Sequence, residues 1–321
     1  MILKEEIDSI LSNTVLKEER GVAAHKYRDV VNEIVKYCQE NVEPGSAIGA
    51  FFKNLLGKRN DVYTIKIPET ITKKIDFIEE LDITITFHEM GGPTVTESGG
   101  GRVSYSKKNG NYFTPEGKLC LVCINLDAFH HNRKVLTRTF TNSLYHELNH
   151  AYDVWSRRKD WKFIDKFNKD IHNGYEVRDY MAFSHNPTVT RFFKDLFYRL
   201  FIPTELNALV SGVYGDLRGM DSDLINYKRD IHNTQAAWVL DDFAEHFNDY
   251  LGLASVYVLM EACKKMNIDG ISRQDPHTFL ITFKQAFERK MREAWKGVGR
   301  AASMWYDDKE EAEMNKGRKL D

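Results

Sequence analysis

The junction between a strongly apolar strand and a long amphipathic helix, at residues 118–155, constrains the fold more than any other feature. KLCLVCINLDAF (118–129) is the most apolar strand-like segment of the chain. After it, apolar residues recur at helical spacing and form one stripe, made of Phe140, Leu144, Leu148, Ala151 and Trp155. The sequence therefore predicts a helix that follows this strand and packs against a sheet.

Strands are predicted before this junction, and helices after it. DVYTIKI (61–67) and DITITF (82–87) alternate and are rich in β-branched residues, and ITKKIDFIEEL (71–81) predicts a short helix between them. Glycine clusters and Asn109-Gly110 predict the turns of a β-meander. From about Lys134 the pattern is helical, with breaks near Gly174, Asn186-Pro187, Pro203, Gly219 and Asp269-Gly270. The predicted class is α+β, with a small mixed or antiparallel sheet on one side of a helical body.

Three consecutive regions are predicted along the chain. Residues 1–60 form an N-terminal helical region, in which Lys26–Val42 is an amphipathic helix ended by Pro44-Gly45. Residues 61–220 form the core with the strands and the junction helix. Residues 221–321 form a C-terminal helical region, and its charged tail, YDDKEEAEMNKGRKLD (306–321), is expected to be mobile.

Composition excludes several classes of partner. The 321 residues carry 45 Lys and Arg against 47 Asp and Glu, so no global field would attract nucleic acid or an anionic membrane. A secretory signal and an 18-residue apolar segment are both lacking, which predicts a cytoplasmic protein. The few cysteines are expected to be reduced, and Cys120 and Cys123 to lie on opposite faces of their strand. The oligomeric state stays open.

The junction helix carries LYHELNHAYDVW (144–155), with two histidines four residues apart. At about 100° per residue, His146 and His150 point about 160° away from Leu148 and about 40° from each other. Both imidazoles therefore leave one face, about 6 Å apart along the axis, as two ligands of a tetrahedral zinc require. Glu147 lies at the side of that face, where a carboxylate can act on water without binding the metal.

The same residues also fit the solvated face of an amphipathic helix, which is the ordinary explanation of such a run. The apolar strand directly before the helix favours the metal site, because a strand of this kind borders the cleft of a zinc peptidase. We therefore predict that His146 and His150 bind Zn²⁺.

HELNH on a helix behind a strand resembles the zincin metallopeptidases, over about residues 120–220. The segment HAYDVWSRRKD (150–160) has neither the glycine nor the third histidine of metzincins, and HAYD is similar to the catalytic helix of anthrax lethal factor type peptidases. The resemblance implies a zincin-like fold, with a glutamate on a later helix as third ligand, as in gluzincins. It also implies Glu147 as general base.

The third ligand has three candidates. Glu205, in FIPTELNALVSGVYGDL (201–217), is the first choice, because this segment resembles the glutamate helix of small gluzincins. Thr204 and Glu205 also fit an ordinary helix start, with Thr204 as cap. The other candidates are Glu176 and Glu245; aligning the latter with lethal factor type peptidases would put the ligand at Asp241. Asp153, about 10 Å along the helix from His146, could only steer a histidine ring.

These residues predict a zinc-dependent metallopeptidase. Glu147 would take a proton from the attacking water and pass it to the leaving amine, and Tyr214 is the candidate to stabilise the oxyanion. If the strand at 118–126 is an edge, it could hold an extended protein or peptide substrate by strand addition.

The alternative is a zinc-stabilised structural or interaction protein, for example a phage component that keeps the site without proteolysis and is associated with the virion. Segments similar to ELNA follow HExxH in phage-encoded proteins. An intact Glu147 favours the enzyme, since a structural site has no use for a general base.

Overall fold

The computed structural model describes residues 27–41, 60–88, 100–128, 133–159, 169, 172–174, 176–220, 222–268 and 275–317. The contacts among these residues divide the chain into two units, each made of separate stretches of sequence. We call them the sheet unit, 27–156 with 214–223, and the helical unit, 157–213 with 224–317. The sequence predicts three consecutive regions instead, and both the N-terminal helix and the end of a later helix belong to the sheet unit.

A four-stranded mixed sheet forms the sheet unit's centre. Its strands are β1 (Asn60–Lys66), β2 (Ile78–His88), β3 (Gly100–Ser106) and β4 (Leu119–Ala128). The spatial order is β1-β2-β4-β3, in which only the β2–β4 pair is parallel. The α+β class is therefore confirmed. Residues 118–126 are not an edge, because β4 pairs on both sides, and β3 is the outermost described strand next to it.

Alternation explains why one face of the sheet is buried. Leu81, Ile83 and Ile85 of β2 are at most 1% exposed, while the intervening residues are half-buried. The short helix α2 spans Glu69–Thr72, and β2 begins at Ile78, so the prediction of a helix through Leu81 is wrong. β2 pairs with β4 from Ile78 onward, and this pairing makes residues 78–81 a strand.

The turn and cysteine predictions agree with the structure. Asn109 and Gly110 have positive φ angles of 53° and 82°, as a tight hairpin turn requires, and Lys108 pairs with Asn111. Cys120 is buried and Cys123 half-buried, and all four cysteines of the chain are free thiols. The antiparallel meander is interrupted, however, by the parallel pairing of β2 with β4.

One long helix covers the buried face of the sheet, and a second long helix packs on the first. Helix α1 spans Arg28–Asn41, as predicted, and packs on helix α3, which spans Arg133–Ser156. Helix α3 itself packs on β3 and β4. Aromatic contacts of Phe77 with Tyr152 and Trp155, both at 5.6 Å between ring centroids, fix the end of α3 against the start of β2. The predicted helix end at Pro44-Gly45 lies outside the described residues.

In the described part of the second half, six further helices have defined bounds, and they confirm its helical character. They are α4 (Pro187–Phe201), α5 (Pro203–Gly219), α6 (Tyr227–Ile231), α7 (Gln235–Leu251), α8 (Val256–Lys265) and α9 (Pro276–Gly317). The predicted breaks at Asn186-Pro187, Pro203 and Gly219 coincide with helix boundaries, whereas Asp269-Gly270 lies outside the described residues. The last turns of α5, from Tyr214, belong to the sheet unit.

A cluster of phenylalanines forms the core of the helical unit. Phe247 of α7 stacks on Phe287 of α9 at 3.7 Å, and Phe283 stacks on Phe197 of α4 at 5.7 Å. Helix α9 continues through Gly317, so most of the tail expected to be mobile is helical. Among the described residues, no helix is long and apolar enough to cross a membrane.

Candidate metal centre

The polar face of α3 is buried and not solvated. His150 is 5% exposed, Glu147 and Asn149 are 3% exposed, and His146 is half-buried. A surface helix would keep such side chains in water, because burying polar groups without partners costs free energy. The explanation of this run as an ordinary solvated face is therefore wrong.

The two histidines of this face converge. The Nε2 atoms of His146 and His150 lie 3.2 Å apart, and their ring centroids lie 4.9 Å apart. Two ligand atoms, each about 2.05 Å from a tetrahedral zinc, are themselves separated by about 3.3 Å. The spacing of the imidazole nitrogens thus fits two ligands of one tetrahedral ion.

Glu205 joins this pair from helix α5. Single ligand atoms of His146, His150 and Glu205 all lie within 4.8 Å of one another, and they make up the group with metal-binding geometry in the described part of the chain. Glu205 is buried, at 8% exposure. Two imidazoles and a carboxylate therefore meet at one point, as the sequence predicts, although the identity of the metal does not follow from this geometry.

Local sequence sets the start of α5. Ile202 is extended, with φ −90° and ψ 111°, and Pro203 begins the helix, a position where its missing N–H is not needed. Thr204 is inside the helix, and its buried hydroxyl has no hydrogen-bond partner among the described residues. Thr204 is therefore not the helix cap that the ordinary explanation requires.

Helices α3 and α5 cross closely within the sheet unit. The rings of Tyr145 on α3 and Tyr214 on α5 pack edge to face at 5.3 Å. Next to them, a Cβ on Gly215 would lie 3.0 Å from the Cα of Asn142 and 2.8 Å from Cδ2 of Tyr145. Gly215 is therefore the residue that allows this close approach of the two helices.

The other two candidate ligands lie elsewhere. Glu176 bonds Lys265 at 2.6 Å, and this hydrogen bond and charge lower the pKa of the Glu176 carboxyl. Glu245 and Asp241 are exposed on α7. None of these three side chains is part of the metal-binding group found among the described residues.

The carboxylate of Glu147 lies against the edge strand. A Cβ added to Gly101 of β3 would come within 2.5 Å of Oε1 and 3.0 Å of Cδ of Glu147. Glu147 is absent from the metal-binding group, although it is next to His146 in the sequence. The sequence predicts a carboxylate beside the metal, but it does not predict that Glu147 contacts Gly101 of β3.

Tyr214, the predicted oxyanion donor, is a residue of α5. Tyr214 is buried and packs on Tyr145. Nine residues along α5 place it about 13.5 Å from Glu205 and about half a turn around the helix. Its role as oxyanion donor therefore stays a prediction, without support from this placement.

Tyr105, which the sequence does not single out, lies on the same face of β3 as Gly101. Its hydroxyl is buried and has no hydrogen-bond partner among the described residues. Burial, followed by the charges of Glu147 and Asp153, raises the pKa of this phenol well above its usual value. Asp153 is half-buried on α3, and its role in steering a histidine stays a prediction. The alternation of β3 alone could have placed Tyr105 on the inner face.

Comparison with known proteins adds no relative. No protein-family profile, curated protein or solved structure matches the chain.

Proposed function

We propose that this protein is a zinc-dependent metallopeptidase that hydrolyses peptide bonds. The observation that carries the proposal is the convergence of His146, His150 and Glu205 next to the buried carboxylate of Glu147. Three nitrogen and oxygen ligands leave one position of a tetrahedral zinc for water or substrate, which is the pattern of catalytic sites. When bound, zinc supplies a Lewis acid that activates water and polarises the scissile carbonyl.

Each side chain has a distinct part in this proposal. The imidazoles of His146 and His150 and the carboxylate of Glu205 hold the ion. Glu147 accepts the proton of the attacking water and returns it to the leaving amine. Its burial against β3 excludes bulk water and fixes the carboxylate, so that little reorganisation is needed during the reaction.

An extended peptide fits the edge of the sheet. The strand β3 pairs with β4 on one side, and none of the described strands pairs with its other side. Gly101 of this strand lies against Glu147. A peptide that pairs with β3 as an added strand would therefore pass close to the general base. This supports a protein or peptide as the substrate. The strand that would bind it by strand addition is β3, in place of residues 118–126.

A structural zinc site would also bury its ligands, as His150 and Glu205 are buried. Structural zinc, however, is almost always closed by four protein ligands, and the described residues bring together three. The position of Glu147 beside them is explained by catalysis and has no part in a purely structural site.

Elemental analysis tests the metal site before any substrate is known. We expect about one zinc per chain in the wild type and in Glu147→Gln, and zinc loss in His146→Ala and Glu205→Ala. Glu245→Ala is the matched control, because it removes an exposed glutamate of the same size.

Peptidase activity is tested next by incubating the zinc-loaded protein with a proteome-derived peptide library and detecting new termini by mass spectrometry. We expect new termini with the wild type and none with Glu147→Gln. A wild type without zinc after reconstitution would contradict the metal site, and equal cleavage by both proteins would contradict the role of Glu147.

A further inference from the structure

The corner between helices α4 and α5 brings a tyrosine to the third candidate ligand. Helix α4 ends at Phe201 and α5 begins at Pro203, so the chain turns at the single residue Ile202. The last turn of α4 therefore faces the first turn of α5. Tyr198 and Glu205, seven residues apart, meet across this corner.

The contact between them is a hydrogen bond. The hydroxyl of Tyr198 donates to Oε1 of Glu205 at 3.0 Å. A carboxylate has two oxygens, and a donor that holds one of them fixes the plane in which the other faces a metal. A carboxylate that binds a metal is commonly held by such an outer partner, and losing the partner typically lowers metal affinity by about 10- to 100-fold.

Residues 172–174 and 176–180 pack against the corner through Gly174 and Arg178. A Cβ on Gly174 would lie 2.2 Å from Cδ1 of Ile202 and 3.6 Å from Cδ2 of Tyr198, so a side chain here would have to displace the end of Ile202. The sequence analysis interpreted Gly174 as a helix break. Residues 172–174 and 176–180 are helical, and residue 175 lies outside the described residues, so the helix break near Gly174 stays a prediction.

Two charged side chains of this segment fix it further. The guanidinium of Arg178 lies over the ring of Tyr198, 4.9 Å from its centroid, which is within the range of a cation–π contact. Glu176, one of the rejected candidate ligands, bonds Lys265 of α8 at 2.6 Å. The segment that carries Arg178 is therefore bonded to α8, and the guanidinium of Arg178 packs on the ring of Tyr198.

We propose that Tyr198 is a positioning residue for metal binding: it holds the carboxylate of Glu205 in the orientation that faces His146 and His150, and Arg178 fixes its ring. This inference rests on the metal site of the proposed function. It goes beyond it, because it assigns a role to a side chain that does not bind the metal.

Zinc affinity, measured by competition with a chromophoric chelator, tests the proposal without an activity assay. We expect Tyr198→Phe, which removes only the hydroxyl, to lower zinc affinity by about 10-fold. Tyr250→Phe is the matched control on α7 and should bind zinc like the wild type. Arg178→Met, which keeps the aliphatic stem but removes the cation, should cause a smaller loss.

A second pair of variants separates orientation from general damage. If Tyr198 acts through Glu205, the change Tyr198→Phe should have no effect in a Glu205→Ala background, where residual zinc binds the two histidines. Thermal unfolding of the metal-free proteins should be equal for Tyr198→Phe and Tyr250→Phe. Should Tyr198→Phe fail to fold, Arg178→Met decides: unchanged affinity overturns the proposal, and reduced affinity supports it.

The outcomes distinguish this inference from the proposed function. Wild-type affinity in Tyr198→Phe, combined with zinc loss in Glu205→Ala, overturns the positioning role alone. An equal effect of Tyr198→Phe with and without Glu205 also overturns it. No zinc in the wild type, or full affinity in Glu205→Ala, removes the proposed site itself and the role of Tyr198 with it.

Discussion

Gly101 of β3 lies directly against the carboxylate of Glu147 on α3. A methyl group at position 101 would come within 2.5 Å of Oε1 of Glu147, far closer than atoms pack in proteins. A glycine at this place lets the edge strand approach the proposed general base. The position of β3 and the position of the Glu147 carboxylate therefore depend on each other.

The first prediction concerns this contact. Gly101→Ala should displace the carboxylate from its fixed position and leave the strand in place, since the clash falls on the end of the Glu147 side chain and not on backbone. We expect turnover to fall by about 100-fold, because a shift of about 1 Å of a catalytic group can cost that much. Zinc content should not change. Ser104→Ala, on the exposed side of the same strand, is the control, and an equal loss there would show that β3 itself is disturbed.

The second prediction concerns the general base. Glu147→Gln keeps the size of the buried side chain but cannot accept a proton, so peptide cleavage should fall by about 100- to 10,000-fold while zinc stays bound. Cleavage rate and zinc content are measured on the same preparation. Loss of zinc together with activity would instead indicate that Glu147 helps to hold the metal.

The third prediction compares two tyrosines. The buried hydroxyl of Tyr105 has no partner among the described residues, and a buried unpaired hydroxyl costs about 1 to 3 kcal/mol. We expect it to bind an ordered water or a substrate group near Glu147. Tyr105→Phe should then lower turnover by about 10-fold and keep zinc, whereas Tyr214→Phe should leave turnover nearly unchanged. A loss in Tyr214→Phe alone would restore the role that the sequence predicts for it.

The fourth prediction concerns the crossing of α3 and α5. Gly215→Ala would press a methyl group against the backbone of Asn142, which helix packing cannot relieve by moving a side chain. We expect the free energy of unfolding, measured by denaturant titration, to decrease by about 1 to 3 kcal/mol. In an open helix the same change would stabilise the protein by about 1 kcal/mol. Gly252→Ala, where the new Cβ would only make an ordinary 3.6 Å contact, is the control.

The fifth prediction concerns the thiols. Burial raises the pKa of Cys38 to about 12, so almost no thiolate is present near pH 8 and alkylation should be very slow. The half-buried Cys123 should react first with iodoacetamide, although burial and the charge of Asp82 raise its pKa as well. Mass spectrometry of the digested protein identifies the modified site. Cys263 is buried like Cys38, so early labelling of either thiol would contradict this prediction.

Local patterns predict much of the fold. The alternation at Ile83 and Ile85 and the helical stripe through Leu144 and Leu148 are properties of short segments, and both recur in the structure as buried faces. Segments with a weak local preference for helix or strand are harder to predict from the sequence. Residues 78–81 form a strand because β4 is available to pair with them, and this pairing partner is not visible in the segment itself.

The sequence by itself determined the two histidines, since four residues on a helix bring two side chains to one face whatever surrounds the helix. Only the tertiary structure decided between Glu205, Glu176 and Glu245, and only it revealed Tyr198, Tyr105 and Gly101 around the site. These choices depend on the α4–α5 corner, on the crossing at Gly215 and on which strand forms the edge. The crossing and the strand order are contacts between distant segments, and the corner depends on the extended backbone at Ile202. The spacing of residues within one helix or strand carries no information about any of them.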